Sequence, residues 1–222
     1  MFKALNLAQL ERIDEARKLL EELARENPRD LQPLDALGNI MRGQKRFTEA
    51  AGYYSRAIDL LDKVEPKHWT YFYLRGACYE RLKQWPEAEA DLLRALQLSP
   101  DQPMILNYLG YSWIDQNRNL KQGLAMLEKA VRLKPNDGYI EDSLGWAHYR
   151  LRHFSEALRH IQRAVTLQPE DPVLNDHLGD VLWKVGQRSE ARAKWEKALT
   201  LNPEPSDAER LRGKVAAGLP EN

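Results

Sequence analysis

Five histidines and one cysteine are the side chains of this chain best suited to nucleophilic, acid–base or metal chemistry: His68, His148, His153, His160, His177 and Cys78. Their spacing argues against it. A zinc-binding helix places two histidines four residues apart with a carboxylate or a third histidine in reach, and no histidine here stands four from another. One cysteine excludes an internal disulfide and a cysteine-based zinc site. The phosphate-binding patterns GxGxxG and GxxxxGK[ST], the GxSxG elbow and the HExxH helix are absent. Glu-rich stretches such as EELARE and EAEADL alternate acids with apolar positions, which describes solvated helix faces. No catalytic residue, cofactor or metal ligand is expected. What remains is contact chemistry: six tryptophans and nine tyrosines, residue types that anchor interfaces with a rigid ring and a polar tip.

Composition narrows the partner. Lys+Arg and Asp+Glu are both 33 in 222 residues, a net charge of zero, with 43% hydrophobic residues. This balance fits a folded chain and lacks the basic stripe of a nucleic-acid binder. No apolar run approaches the roughly 20 residues of a membrane span, and the start MFKALNLAQLERIDEARK lacks the features of a signal peptide. The chain as written reads as soluble.

The elements that must present those rings repeat. Gly76, Gly110, Gly145 and Gly179 are 34, 35 and 34 apart; Ala95, Ala130, Ala164 and Ala198, and Pro100, Pro135, Pro169 and Pro203, keep the same period. Gly38, Ala50, Ala57 and Pro66 give an earlier copy, set off by four extra residues that we place in a helix end or loop near 62–68. Within 101–135, Leu106, Leu109, Gly110 and Trp113 recur at helical spacing, then the turn DQNRN, then Leu124, Leu127, Ala130 and Val131. Each unit is a pair of helices ended by a proline, with small residues where the two axes approach.

This pattern resembles the tetratricopeptide repeat. Leu144, Gly145, His148, Ala157, Ile161, Ala164 and Pro169 follow its consensus order, as do Leu178, Gly179, Leu182, Ala191, Trp195, Ala198 and Pro203. Gly123 departs from the first second-helix Ala, beside a one-residue insertion, and Arg75 replaces Leu before Gly76. The resemblance implies an all-α, right-handed superhelical solenoid of antiparallel helix pairs. Residues 1–30 form a partial repeat; 31–68, 69–102, 103–137, 138–171 and 172–204 are full repeats; 205–219 is a capping helix begun by the box Ser206–Glu209. In that cap Leu211 and Val215 pack inward, while Glu209, Arg210, Arg212 and Lys214 face water.

The resemblance also implies which first-helix positions line a concave groove. They are Asp35, Asn39 and Arg42; Tyr73, Ala77 and Glu80; Asn107, Tyr108, Tyr111 and Ile114; Tyr139, Asp142, Ser143, Trp146, Tyr149 and Arg150; Asp176, His177, Asp180, Trp183 and Lys184. Trp113 and Trp195 fall at core positions. The stripe describes an aromatic trough with acidic spots, where Arg150 and Lys184 meet its own carboxylates or a partner's. The chaperone-tail clamp fits poorly, because Asp35 stands where that clamp needs lysine, and Asn39 and Asn107 do not form an asparagine ladder.

LNYLGYSWIDQ and AMLEKAVRLKPNDGYIEDSLGWAHYRLRHFSEAL are similar to the C-terminal repeats of bacterial exported proteins. Among these are outer-membrane lipoproteins that serve as adaptors for carboxyl-terminal processing proteases. The leading expectation is a non-enzymatic scaffold or adaptor that binds a peptide or helix of another protein. A self-associating module and a regulatory region of a larger protein, such as a protease–adaptor complex, stay open. Phe2, Leu5, Leu7 and Leu10 leave the N-terminal end apolar, so that end either docks on the next helix with a frayed start or meets an earlier repeat or a second copy. The compartment is periplasmic if the chain belongs to an exported protein, and cytoplasmic otherwise.

Overall fold

A computed structural model describes residues 1–220. Its thirteen α-helices are α1 Phe2–Gln9, α2 Ile13–Glu26, α3 Gln32–Gly43, α4 Phe47–Asp59, α5 Trp69–Arg81, α6 Trp85–Leu98, α7 Pro103–Asp115, α8 Leu120–Leu133, α9 Gly138–Arg150, α10 Phe154–Leu167, α11 Pro172–Lys184, α12 Arg188–Thr200 and α13 Pro205–Ala217. No strand occurs among the described residues. The helices form two compact units, Met1–Pro100 and Asp101–Asn222. In each unit consecutive helices pair antiparallel, α3 with α4 and α5 with α6 in the first, α7 with α8, α9 with α10 and α11 with α12 in the second.

The prolines punctuate as their geometry requires. Pro33, Pro86, Pro103, Pro172 and Pro205 occupy first-turn positions, where a missing N–H costs nothing. Pro100, Pro135 and Pro169 stand two residues past the ends of α6, α8 and α10. The four extra residues near 62–68 form a loop and a short 3-10 turn, Pro66–His68, held by the Glu65 amide donating to His68 Nδ1 at 3.0 Å.

The small residues set the spacing inside each pair. A Cβ on Gly38 would overlap the ring of Tyr54, one on Gly145 would strike Ile161, and one on Gly179 would strike the indole of Trp195. All three second-helix side chains are fully buried. The departure at Gly123 has its reason in the same contact. Gly110 and Gly123 face each other, and a Cβ on either would press the other's carbonyl oxygen at 2.8–2.9 Å. The insertion in that pair is absorbed at Asn119, a left-handed residue (φ 43°) at the start of α8.

Helix α13 corrects two expectations. It begins at Pro205 with no side-chain cap bond, so the Ser206–Glu209 box is not formed. Lys214 does not face water: it is 8% exposed, beside Leu211 at 1%. At the other end Phe2 is 79% and Leu10 68% exposed.

Gly179→Ala should destabilise the chain by about 1–3 kcal/mol, the usual cost of overpacking, because the indole of Trp195 has no room to retreat. Urea unfolding checks this, and an unchanged midpoint would contradict the crossing geometry.

Candidate partner-binding faces

The first helices of the second unit, α7, α9 and α11, carry most of the expected groove residues, and the structure divides them into two groups. The carboxylates are largely turned inward. Asp176 and Asp180 are 2% and 5% exposed beneath α13. Lys214 Nζ reaches Asp176 Oδ1 at 2.7 Å and both Asp180 oxygens at 2.6 and 2.8 Å, and Trp195 Nε1 donates to Asp180 Oδ1 at 2.9 Å. Arg210 Nη1 lies 2.8 Å from Asp176 Oδ2, a charge contact rather than an aligned hydrogen bond. Burial pushes the Asp180 carboxyl up against the pull of Lys214, and the charge of Asp176 adds to the rise.

Asp142 is also buried and bonds His177 Nδ1 at 2.8 Å. Burial opposes the charge on His177, but Asp142 outweighs it, with Asp176 and Asp180 adding, and the imidazole is raised above its ordinary value. Arg150 pairs with Asp115 at 2.8 Å. Asp142, Asp176 and Asp180 are therefore held by the protein's own cations, and the expected acidic spots of this face are neutralised from within. Arg150 and Lys184 do not meet those acids, since Lys184 Nζ donates to the Pro220 carbonyl at 3.2 Å.

The aromatic residues form the second group. Trp146 stacks on Tyr149 at 4.7 Å and on His177 at 4.0 Å between ring centroids. Burial and the charges of Asp180 and Asp176 push the Tyr149 phenol up to about 12. Tyr139 is 55% exposed and its hydroxyl donates to Asp171 at 3.1 Å. Tyr108, Tyr111 and Asn107 on α7 are half-buried, and Asn107 Oδ1 accepts no hydrogen bond. Trp183 is half-buried too: it lies 5.5 Å from Trp195, under Arg188 and Arg192 at 5.2 and 5.3 Å, with Gly218 against its ring. Ile114 is core at 1% exposure, and the Ser143 hydroxyl is spent on the Tyr139 carbonyl. Trp113 and Trp195 are buried, as their positions imply.

In the first unit, Asn39 Oδ1 accepts from the Tyr54 hydroxyl at 3.0 Å, Arg42 is exposed, and Tyr73 is half-buried, its phenol raised by burial. Asp35 on α3 is half-buried; burial raises its carboxyl and its bond to Asn39 opposes the rise. Cys78 is buried and its thiol is pushed up to about 11 by burial, which leaves it protonated near neutrality. Arg75, noted only as a departure from the consensus, makes a two-point bond to buried Asp91 at 2.7 and 2.8 Å. In the second unit His160 Nδ1 lies 2.8 Å from buried Glu141, and His148 Nδ1 faces His153 Nδ1 at 3.5 Å. No group of three or more His, Cys, Asp or Glu among the described residues could hold a metal ion.

The sequence reading missed Lys214, Arg210 and Asp115. One signal was there. Asp142 and Asp176 each stand three residues before a first-helix glycine, and His177 follows Asp142 by 35 residues and Lys214 follows Asp176 by 38. A repeated acid followed one unit later by a base marks a tie between successive first-helix positions.

Tetratricopeptide repeat patterns match residues 3–63, 36–103, 79–138, 142–171 and 178–221. The chain belongs to the tetratricopeptide repeat (TPR) family. A TPR repeat-containing protein of Pseudomonas aeruginosa is 30% identical over 151 residues, which is 66% of this chain and 24% of that protein. The chain thus spans about a quarter of that relative's length. A TPR protein of Parabacteroides merdae superimposes with a TM-score of 0.79 at 21% identity, over 96% of this chain and 82% of that one. YrrB, described as a TPR protein with an unusual peptide-binding site, superimposes with a TM-score of 0.59 at 20% identity, over 87% and 97%. TPR chains are generally non-enzymatic, and the fold suggests a protein–protein interaction scaffold. No helix among the described residues is long and apolar enough to cross a membrane.

Lys214→Ala leaves two buried carboxylates without their cation and should cost roughly 3–5 kcal/mol, read as a lower urea midpoint; a loss below about 1 kcal/mol, the range of surface pairs, would show that α13 is held by its apolar contacts alone. His177 gives a pH dependence of definite sign. Its folded value is raised, so its contribution is complete below the unfolded value of about 6.5 and is lost as pH rises through the folded value. Melting temperature should fall over that window in the wild type, and the difference from His177→Gln should shrink at the alkaline side; a gap that widens with pH would contradict the Asp142 pairing.

Proposed function

We propose that this TPR chain is a non-catalytic scaffold that binds a peptide or helical segment of another protein along its first-helix faces. The observation that supports this most is the contrast between the two groups of groove residues. The carboxylates Asp142, Asp176 and Asp180 are consumed internally, whereas aromatic and amide side chains stay partly open. These are Asn39 and Tyr73 with exposed Arg42 in the first unit, and Asn107, Tyr108, Tyr111, Tyr139, Trp146 and Tyr149 in the second. Amphipathic rings that are partly open suit a chain that brings apolar side chains and polar groups to meet their tips. Arg150, paired with Asp115, Lys184, bonded to the Pro220 carbonyl, and half-buried Trp183 complete this set. The peptide-binding site named for YrrB, a chain of the same fold, is consistent with this reading.

A second reading has its own support. Phe2 and Leu5 on α1, with Leu10 just after it, leave an exposed apolar edge, which suits a neighbouring repeat or a second copy. Since the Pseudomonas relative is much longer than this chain, a regulatory role within a larger assembly fits the same surface. A molecular mass that rises with concentration in light scattering supports self-association, and a constant monomer mass removes it.

Tyr73→Ala combined with Tyr111→Ala should abolish capture of partner proteins from native lysate while leaving the helical circular dichroism intact. An unchanged set of captured proteins would overturn the first-helix faces as the binding surface.

A further inference from the structure

Asp35, Asp142 and Asp176 occupy one repeat position, three residues before Gly38, Gly145 and Gly179. Two of the three are filled. Asp142 receives His177 from the next first helix, and Asp176 receives Lys214 and Arg210 from α13. His177 stands two residues before Gly179; the matching position after Asp35, two before Gly76, is Leu74. Leucine brings no charge, and among the described residues no cation pairs with Asp35, whose side chain bonds Asn39.

The surroundings of Asp35 resemble the filled sites in their apolar walls and differ in being open. A cleft of about 450 Å³ within the first unit is lined by Met1, Leu5, Gln32, Asp35, Ala36, Asn39 and Ile40. The carboxylate is thus half withdrawn from water beside open space, without the partner that compensates the same acid elsewhere. Burying a charge is costly unless it is paired, so an incoming cation gains more at Asp35 than at an exposed acid. An incoming carboxylate meets repulsion there.

The chain also displays what such a cation looks like when bound. In α13 the Lys214 ammonium reaches its two aspartates while its charge lies 6.0 Å from the Trp195 ring centroid, and Leu211, one helical turn earlier, is buried at the same end. A helix with an apolar residue three positions before a lysine therefore satisfies both the acid and the apolar wall.

Resting on the scaffold reading above, we propose that Asp35 and its apolar rim form a socket for a lysine or arginine side chain of the partner peptide. An apolar side chain of the same peptide lies beside it on Leu5, Ala36 and Ile40. The partner is thus a basic–apolar segment, and acidic segments are rejected at this end.

The test is selection of random phage-displayed peptides on the full chain, with affinities then measured on the wild type, Asp35→Asn, Asp35→Glu and Tyr73→Ala. Selected peptides should be rich in Lys or Arg next to a large apolar residue. Asp35→Asn should weaken them about tenfold or more, as expected for a charge-assisted bond, with recovery in Asp35→Glu. In the wild type, carbon-detected NMR should show the raised Asp35 carboxyl falling when peptide binds, a readout that does not depend on how any variant folds. Peptides that respond to Tyr73→Ala but carry no cation preference, ignore Asp35→Asn and leave the Asp35 titration unmoved would overturn the socket and leave the scaffold reading standing. Peptides indifferent to both positions would overturn the socket and remove the first unit's first-helix face from the scaffold reading.

Discussion

In three of the helix pairs a first-helix glycine lies against a large, buried second-helix side chain, as Gly38 does on Tyr54, Gly145 on Ile161 and Gly179 on Trp195. The crossing has no room for a Cβ, so the identity of one residue fixes how near the two axes come. Everything on the first-helix faces follows from that spacing. Residues three before and one after the glycine, such as Asp176 and Asp180 around Gly179, are carried to one side of α11, where α13 meets them. Where glycine meets glycine, at Gly110 and Gly123, the carbonyls themselves limit the approach.

The second constraint is electrostatic. A solenoid must bind each repeat to the next as well as close each pair, and apolar area alone does not set the register. In the second unit the register is carried by charged pairs between successive elements: Asp115 with Arg150, Asp142 with His177, Asp176 with Lys214. Breaking a buried pair costs more than making it gains, so the two buried ties, Asp142 with His177 and Asp176 with Lys214, act chiefly against alternative packings. Their consequence is that the carboxylates Asp142, Asp176 and Asp180 are paired within the chain. Asp35, half-buried and bonded to Asn39, has no such tie among the described residues.

Much of this was legible in the sequence because it rests on spacing. The 34-residue period of Gly, Ala and Pro gives the helix pairs, and Trp113 and Trp195 read correctly as core because their positions repeat those of other buried side chains. The groove residues were less legible, for a definite physical reason. A residue on the first-helix stripe belongs to two environments, the open face and the seam with the next element, and only the next element decides which prevails. Asp176 looked like a ligand group until Lys214 was placed above it, and Lys214 looked solvated because α13 has polar residues on most of its circumference. Trp183, packed against Gly218, is half-buried and belongs to both environments. The Ser206–Glu209 box failed for a local reason: Pro205 can start a helix by itself.

The central claim is that partners meet this chain on its first-helix faces. A photo-crosslinking amino acid placed in turn at Ala77 on α5 and at exposed Ala90 on α6, within one helix pair, tests it most directly. The account predicts covalent partner adducts from Ala77 and none from Ala90. Adducts from Ala90 with none from Ala77 would contradict it, and would move the interaction to the second helices.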